Sequence, residues 1–228
     1  MTSQVDHLVI AASTLEDGVA WCESILGITP GSGGEHPLMG THNRLFSIAT
    51  AQYPTAYLEI IAMQSGAACA RIQGEKRWFD LENEVVQLSL KQNGPQLLHF
   101  VARTPQAAPT VQALASLGID RGELLAASRM TAHGLLSWKI TVRADGQRLM
   151  NGTLPTLIEW GDVHPTQHMA ASGVTLQSLT ASQPDTGPLR AAYAALNLQG
   201  VDVVQGQANL AASLQTPRGL VTLQSKGL

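Results

Sequence analysis

Two histidines and two glutamates recur in this chain in the same order. His7 stands early in an apolar run, Leu26-Gly27-Ile28 follows 19 residues later, and Glu59 closes a second apolar run. His99, Leu117-Gly118-Ile119 at a spacing of 18 residues, and Glu159 repeat the arrangement. Two imidazoles and two carboxylates form a competent shell for a divalent transition metal, with positions left over for water or a chelating substrate. An ion held this way can bind vicinal oxygens, lower their pKa and stabilise an enediolate while a loosely held carboxylate, Glu59 or Glu159, moves the proton. If only His7, His99 and Glu159 bind, they make a 2-His-1-carboxylate set suited to oxygen activation by Fe(II). Fe, Mn, Ni, Co and Zn all remain open. A strand histidine taken alone is more often a hydrogen-bonded core residue than a ligand. The repetition, and the embedding of both glutamates among Leu and Ile, argue for the ligand here, because a lone buried carboxylate needs a cation or a proton.

The elements that must position these groups read as two β-α-β-β-β units. Residues 5–12 form a short apolar run rich in β-branched residues, which reads as a buried strand. Ser13 and Glu16 have capping-box spacing, Leu15, Val19 and Cys22 recur at helical period, and Gly27 supplies a stop. A Gly- and Pro-containing loop over residues 30–40 leads into strands at 43–49 and 57–62. The second unit opens with a strand at 97–102. A helix follows with Val111, Leu114 and Leu117 on one face, ended by Gly118, and then strands at 135–142 and 154–160 flank an Asp145-Gly146 turn. Residues 63–94 read as a connecting segment with one short helix near 78–86. A third unit repeats the rhythm: strand 174–181, helix 188–196 after an Asp185/Thr186 cap with Pro188 in its first turn, and strands at 201–204, 208–215 and 220–224. It offers Thr, Gln and Leu where the metal-competent residues would stand. The expected division is therefore 1–62, 63–94, 95–162 and a ligand-free 173–226.

Composition narrows the partners. A net charge of -3, 4% aromatic residues and the absence of any Lys/Arg cluster give no surface for tracking phosphates or stacking bases, so nucleic acid is set aside. No apolar run approaches the ~20 residues of a membrane span. Cys22 on an inner helix face and Cys69 in a polar connection do not form a disulfide framework, and a cytoplasmic location is expected.

Several stretches resemble the vicinal oxygen chelate superfamily, and within it the glyoxalase-like group. They are Asp6-His7-Leu8-Val9, His36-Pro37-Leu38-Met39-Gly40-Thr41-His42-Asn43, Tyr57-Leu58-Glu59, Trp78-Phe79, Leu157-Ile158-Glu159-Trp160-Gly161 and Thr216-Pro217-Arg218-Gly219. The resemblance implies an α+β fold of paired modules forming a cup-shaped mixed sheet, with metal ligands at His7, Glu59, His99 and Glu159. It also implies a homodimer and a small-molecule substrate with vicinal oxygens, acted on by a lyase, isomerase or dioxygenase. Members of that fold that merely sequester a ligand supply the alternative function. His42 and Asn43 are candidates to orient a substrate carbonyl or carboxylate, and Arg129 to pair with an anionic substrate. Trp138 and Trp160 read as core or cup wall. His36, His133, His164 and His168 receive no role, and Asp162-Val163-His164-Pro165 reads as at most a rim.

Overall fold

The computed structural model describes residues 2–71, 74–132 and 134–228. His133 lies outside them. The first unit comprises β1 (Ser3–Ala11), α1 (Leu15–Trp21) running into a π-helical turn (Cys22–Leu26), β2 (Glu35–His36), β3 (Thr41–Ser47) and β4 (Tyr57–Met63). A connecting helix α2 (Glu84–Asn93) precedes the second unit, which is built from β5 (Gln96–Arg103), α3 (Ala107–Ala115), β6 (Glu123–Thr131), β7 (Gly134–Val142) and β8 (Thr156–Trp160). The third contains β9 (Thr175–Gln183), α4 (Gly187–Leu196), β10 (Leu198–Gln199), β11 (Asp202–Gln205), β12 (Asn209–Thr216) and β13 (Gly219–Gln224).

Among the described residues β2-β3-β4-β1-β5-β8-β7-β6 form one curled open sheet, with the short β10 added alongside β1. β1 and β5, the opening strands of the two units, pair antiparallel at its centre. A separate sheet, β11-β9-β12-β13, belongs to the third unit. Its Leu176, Leu179, Leu210 and Leu214 share a core with Leu8, Ile10, Leu58 and Phe100 on the back of the large sheet. The third unit therefore covers the convex side, and the opposite face, with Val9, Ile61, Val101, Ile140 and Ile158, is left as the lining of the cup.

Local chemistry accounts for several departures from the sequence reading. Thr14, not Ser13, caps α1: its backbone is extended and its side chain accepts the Asp17 N–H at 3.1 Å. The helix then lies so close to β4 that a Cβ on Gly18 would stand 2.4 Å from Ile60. Gly27 ends the π-helical turn at φ +76°, as its position suggests. The connecting helix starts later than expected, because Asn83 accepts the Val85 N–H at 2.8 Å and fixes its first turn. In α3 only Leu114 of the expected apolar face is fully buried, and Leu117 lies beyond the helix and exposed. Strand β6 left little sequence signal: it is an edge strand that alternates between exposed and half-buried, through Ala-Ala-Ser rather than β-branched residues. It carries Arg129.

Candidate active site

An irregularity in β1 sets the chemistry of the first unit. Pairing with β5 runs Val5 to Ala102 and then His7 to Val101, so Asp6 is an extra residue, a β-bulge. Val5, Leu8 and Ile10 enter the main core, whereas the intervening bulge presents both Asp6 and His7 to the cup. A regular strand would have sent two adjacent side chains to opposite faces. Asp6 is fully buried and accepts from three rings: His7 Nδ1 at 2.7 Å, Trp160 Nε1 at 2.9 Å and His164 Nε2 at 3.0 Å. Burial alone would raise its pKa, but the hydrogen bonds and charges of His164 and His7 hold it well below the usual carboxylate range. Accepting the proton on Nδ1 fixes the His7 tautomer, and its ring stacks on Tyr57 with centroids 4.5 Å apart. The Nε2 atom of His7 is thereby turned toward Glu59 Oε2, 3.6 Å away.

Glu59 reaches this position because β4 alternates strictly. Leu58 and Ile60 fill the core, and Tyr57, Glu59 and Ile61 face the cup. Its other oxygen accepts from Asn43 Nδ2 at 2.6 Å, and Asn43 Oδ1 in turn accepts the Gly34 N–H at 2.8 Å. Beside Asn43, the His36 ring approaches Thr41 Oγ1 at 3.1 Å and stands edge-on to Trp78. Arg129 enters from β6 across the cup. Its Nε and Nη1 are buried with no hydrogen-bond partner among the described residues. Together with Trp138, Ile158 and Trp160 these groups enclose a small cavity of about 40 Å³. It shares His36, Trp78, Arg129, Leu136 and Trp138 with an adjoining cleft of about 810 Å³.

The second unit does not complete this centre. His99 lies against Phe79, is fully buried, and has both nitrogens engaged: Nδ1 with the Gly152 carbonyl at 2.8 Å, Nε2 with the Thr156 N–H and hydroxyl, each at 3.0 Å. It braces β5 against β8. Glu159 is on the wrong parity of its strand. Ile158 and Trp160 face the cavity, so Glu159 points away, where it takes the Ala107 N–H at 2.7 Å at the start of α3 and the Lys139 ammonium at 2.7 Å. Among the described residues no three His, Cys, Asp or Glu side chains are gathered to hold an ion. The expected shell of His7, Glu59, His99 and Glu159 is thus not formed, and the donors that are close together do not fit the metal expected by resemblance. His42 also departs from expectation: on β3 it falls on the face of Phe46, opposite Asn43. Asn43, Arg129, Trp138 and Trp160 line the cup. Asp6 and Tyr57 belong to the same cluster, and so do His36 and His164, which were expected to have no role. For Asp6 the adjacent His7 was a usable signal, but its meaning depended on the bulge.

Two of these histidines make acid stability a test of the arrangement. Burial, followed by the charges of Arg129, His7 and His42, pushes His36 down to about 3. Burial, with Arg121 and Arg148 adding to it and the Gly152 hydrogen bond opposing, holds His99 well below its ordinary range. In the unfolded chain both titrate near ~6.5, so below that pH the unfolded state binds more protons than the folded one. Stability is accordingly full above about pH 6.5 and falls by up to about 1.4 kcal/mol per pH unit for each histidine as the pH drops toward their folded values. Asp6 contributes its own loss only below about pH 4, where the unfolded carboxylate protonates. Thermal melts should show a flat Tm between pH 7 and 8 and a progressive fall from pH 6.5 to 5. An unchanged Tm down to pH 5 would contradict the neutral burial of His36 and His99.

The sequence model of the glyoxalase-like domain family matches residues 5–197. A solved structure of a hypothetical protein from Staphylococcus aureus aligns over 91% of this chain and 88% of its own, with a TM-score of 0.62 and 12% identity. A Streptomyces coelicolor methylmalonyl-CoA epimerase in complex with 2-nitronate-propionyl-CoA aligns over 72% of this chain and 99% of its own, with a TM-score of 0.42 and 16% identity. The Mycobacterium tuberculosis methylmalonyl-CoA epimerase covers 72% of this chain and 90% of its own at a TM-score of 0.39 and 14% identity. No curated protein sequence matches the chain. No helix among the described residues is long and apolar enough to cross a membrane.

Proposed function

Because the chain belongs to the glyoxalase-like domain family, within the vicinal oxygen chelate superfamily, we propose that it is an enzyme of the lyase or isomerase kind. In this reading it moves a proton at a carbon next to a carbonyl, in the cup of the first unit. The observation that carries this reading is the Glu59 carboxyl, buried but open to the cavity, held by Asn43 at 2.6 Å and facing His7 at 3.6 Å. Glu59 takes the proton, the C–H electron pair moves to form the enolate, and negative charge collects on the carbonyl oxygen. Arg129, whose Nε and Nη1 lack a hydrogen-bond partner among the described residues, lines the same cavity and places a positive charge near that oxygen. The proton then returns from Glu59 to carbon, or, where the adjoining carbon bears a leaving group, the enolate electron pair forms a C=C bond as the bond to that group breaks and the departing group takes the proton from Glu59. His7, fixed by Asp6, offers Nε2 as a second hydrogen-bonding point beside the base. No step in this reading passes through a metal, and the three-ligand set that dioxygenase chemistry on one iron would need is not gathered among the described residues. The homodimer expected from the resemblance remains part of the reading.

The test is solvent exchange. Incubation in D2O with a panel of 2-oxo and 2-hydroxy carboxylates should give enzyme-dependent deuterium uptake at the carbon next to the carbonyl or hydroxyl, seen by NMR. Saturable binding of a panel member without uptake in any of them would favour the sequestering alternative.

A further inference from the structure

The cleft that adjoins the Glu59 cavity is far larger than a small vicinal-oxygen compound needs. At about 810 Å³ it falls in the upper part of the range of sites that enclose drug-sized ligands. Its walls beyond Arg129 are mainly side chains without charge: Leu38 and Met39 from one side, Leu125, Leu136 and Ile140 from the other, with Met169 at the margin. Arg129 at the junction is half-buried, with Nε and Nη1 sequestered and without a hydrogen-bond partner among the described residues, and a sequestered donor left unpaired is costly unless something arrives to satisfy it. Gly34 makes room for it, since a Cβ there would stand 1.5 Å from Arg129 Nη1. The same glycine donates its N–H to Asn43, the residue that holds Glu59. Anion site and base are therefore registered to one another through a single backbone segment.

From this we infer that the substrate is amphipathic: a carboxylate on Arg129, the oxygen-bearing carbon at Glu59, and an apolar acyl body in the cleft. The substrate class rests on the proton-transfer reading, whereas the binding site does not, and the two separate experimentally. Arg129 fixes the head by a planar two-point contact that a carboxylate matches and an ester does not. The body is bound by burial of apolar surface.

Straight-chain 2-oxo carboxylates of three to eight carbons, each with its methyl ester, serve as probes. Binding is read from the fluorescence of Trp78 and Trp138, which line the cleft. Affinity should rise about threefold to fourfold per added methylene over this range, and each acid should bind at least tenfold tighter than its ester. In Arg129→Met the chain-length dependence should persist and the preference for the acid should vanish. Gly34→Ala provides a second variant that leaves Arg129 in the chain and displaces its guanidinium, and it should behave in the same way. Affinity that does not change with chain length, or an acid-to-ester ratio that survives both variants, overturns the inference. If chain-length dependence and acid preference appear without deuterium uptake, the amphipathic binding site stands, and the proton-transfer reading falls together with the substrate class that rests on it.

Discussion

Glu59→Gln should reduce enzyme-dependent deuterium uptake by about 10²–10⁴-fold, the range associated with loss of a positioned general base. The substitution is nearly isosteric. A glutamine Oε1 can still accept from Asn43 Nδ2, the 2.6 Å contact that orients the native side chain, so the cavity and its walls keep their shape. What is lost is the ability to take a proton. The effect should therefore appear in kcat with little change in KM, since the substrate is held by Arg129 and the cleft rather than by Glu59. Uptake within threefold of the native rate would remove Glu59 from the reaction.

Asp6→Asn is expected to have the largest effect on stability. The native carboxylate is fully buried and satisfies three ring N–H donors, from His7, Trp160 and His164. An asparagine presents one acceptor oxygen and turns an NH2 toward rings that also donate. Breaking a buried charge network by removing one member costs about 3–5 kcal/mol, which for a chain of this length corresponds to a fall in Tm of roughly 6–20 °C. The fall should be present at pH 7.5, well above the window in which His36 and His99 titrate, and that separates it from the acid effect. A variant with Tm within 2 °C of native would show that Asp6 is not the hub of this cluster.

The fold was legible in the sequence because its signals are local. The strand of residues 5–12, the Gly27 stop, the strand at 57–62 and the main strands and helix of the third unit, though not its short β10, depend on apolar period and turn chemistry, and the structure places elements there. Edge strand β6 was not legible, since a half-exposed Ala-rich segment has little apolar period to detect. The site was legible only in part, and the reason is parity. Glu59 and Glu159 have similar neighbours in sequence, yet a shift of one residue in a strand sends a side chain to the other face, so one enters the cup and the other anchors α3. His7 and His99 resemble one another for the same reason. The bulge at Asp6 frees the first to face Glu59, whereas the second is locked between Gly152 and Thr156. A duplicated sequence pattern predicts two units of like build, and only the pairing register shows which copy turns its histidine and glutamate toward one another. His164 could not be placed from sequence because its partner, Asp6, lies 158 residues away.

The central claim is that chemistry resides in the first unit and not in a centre shared by both. The most direct test compares Glu59→Gln with Glu159→Gln in one deuterium-uptake assay on the same 2-oxo carboxylate. The account predicts that Glu59→Gln loses uptake while Glu159→Gln retains it within about twofold, with only a small loss of stability from the weakened contact at the start of α3. Equal collapse of both variants, with both still folded, would contradict it and restore a centre to which the two glutamates contribute together.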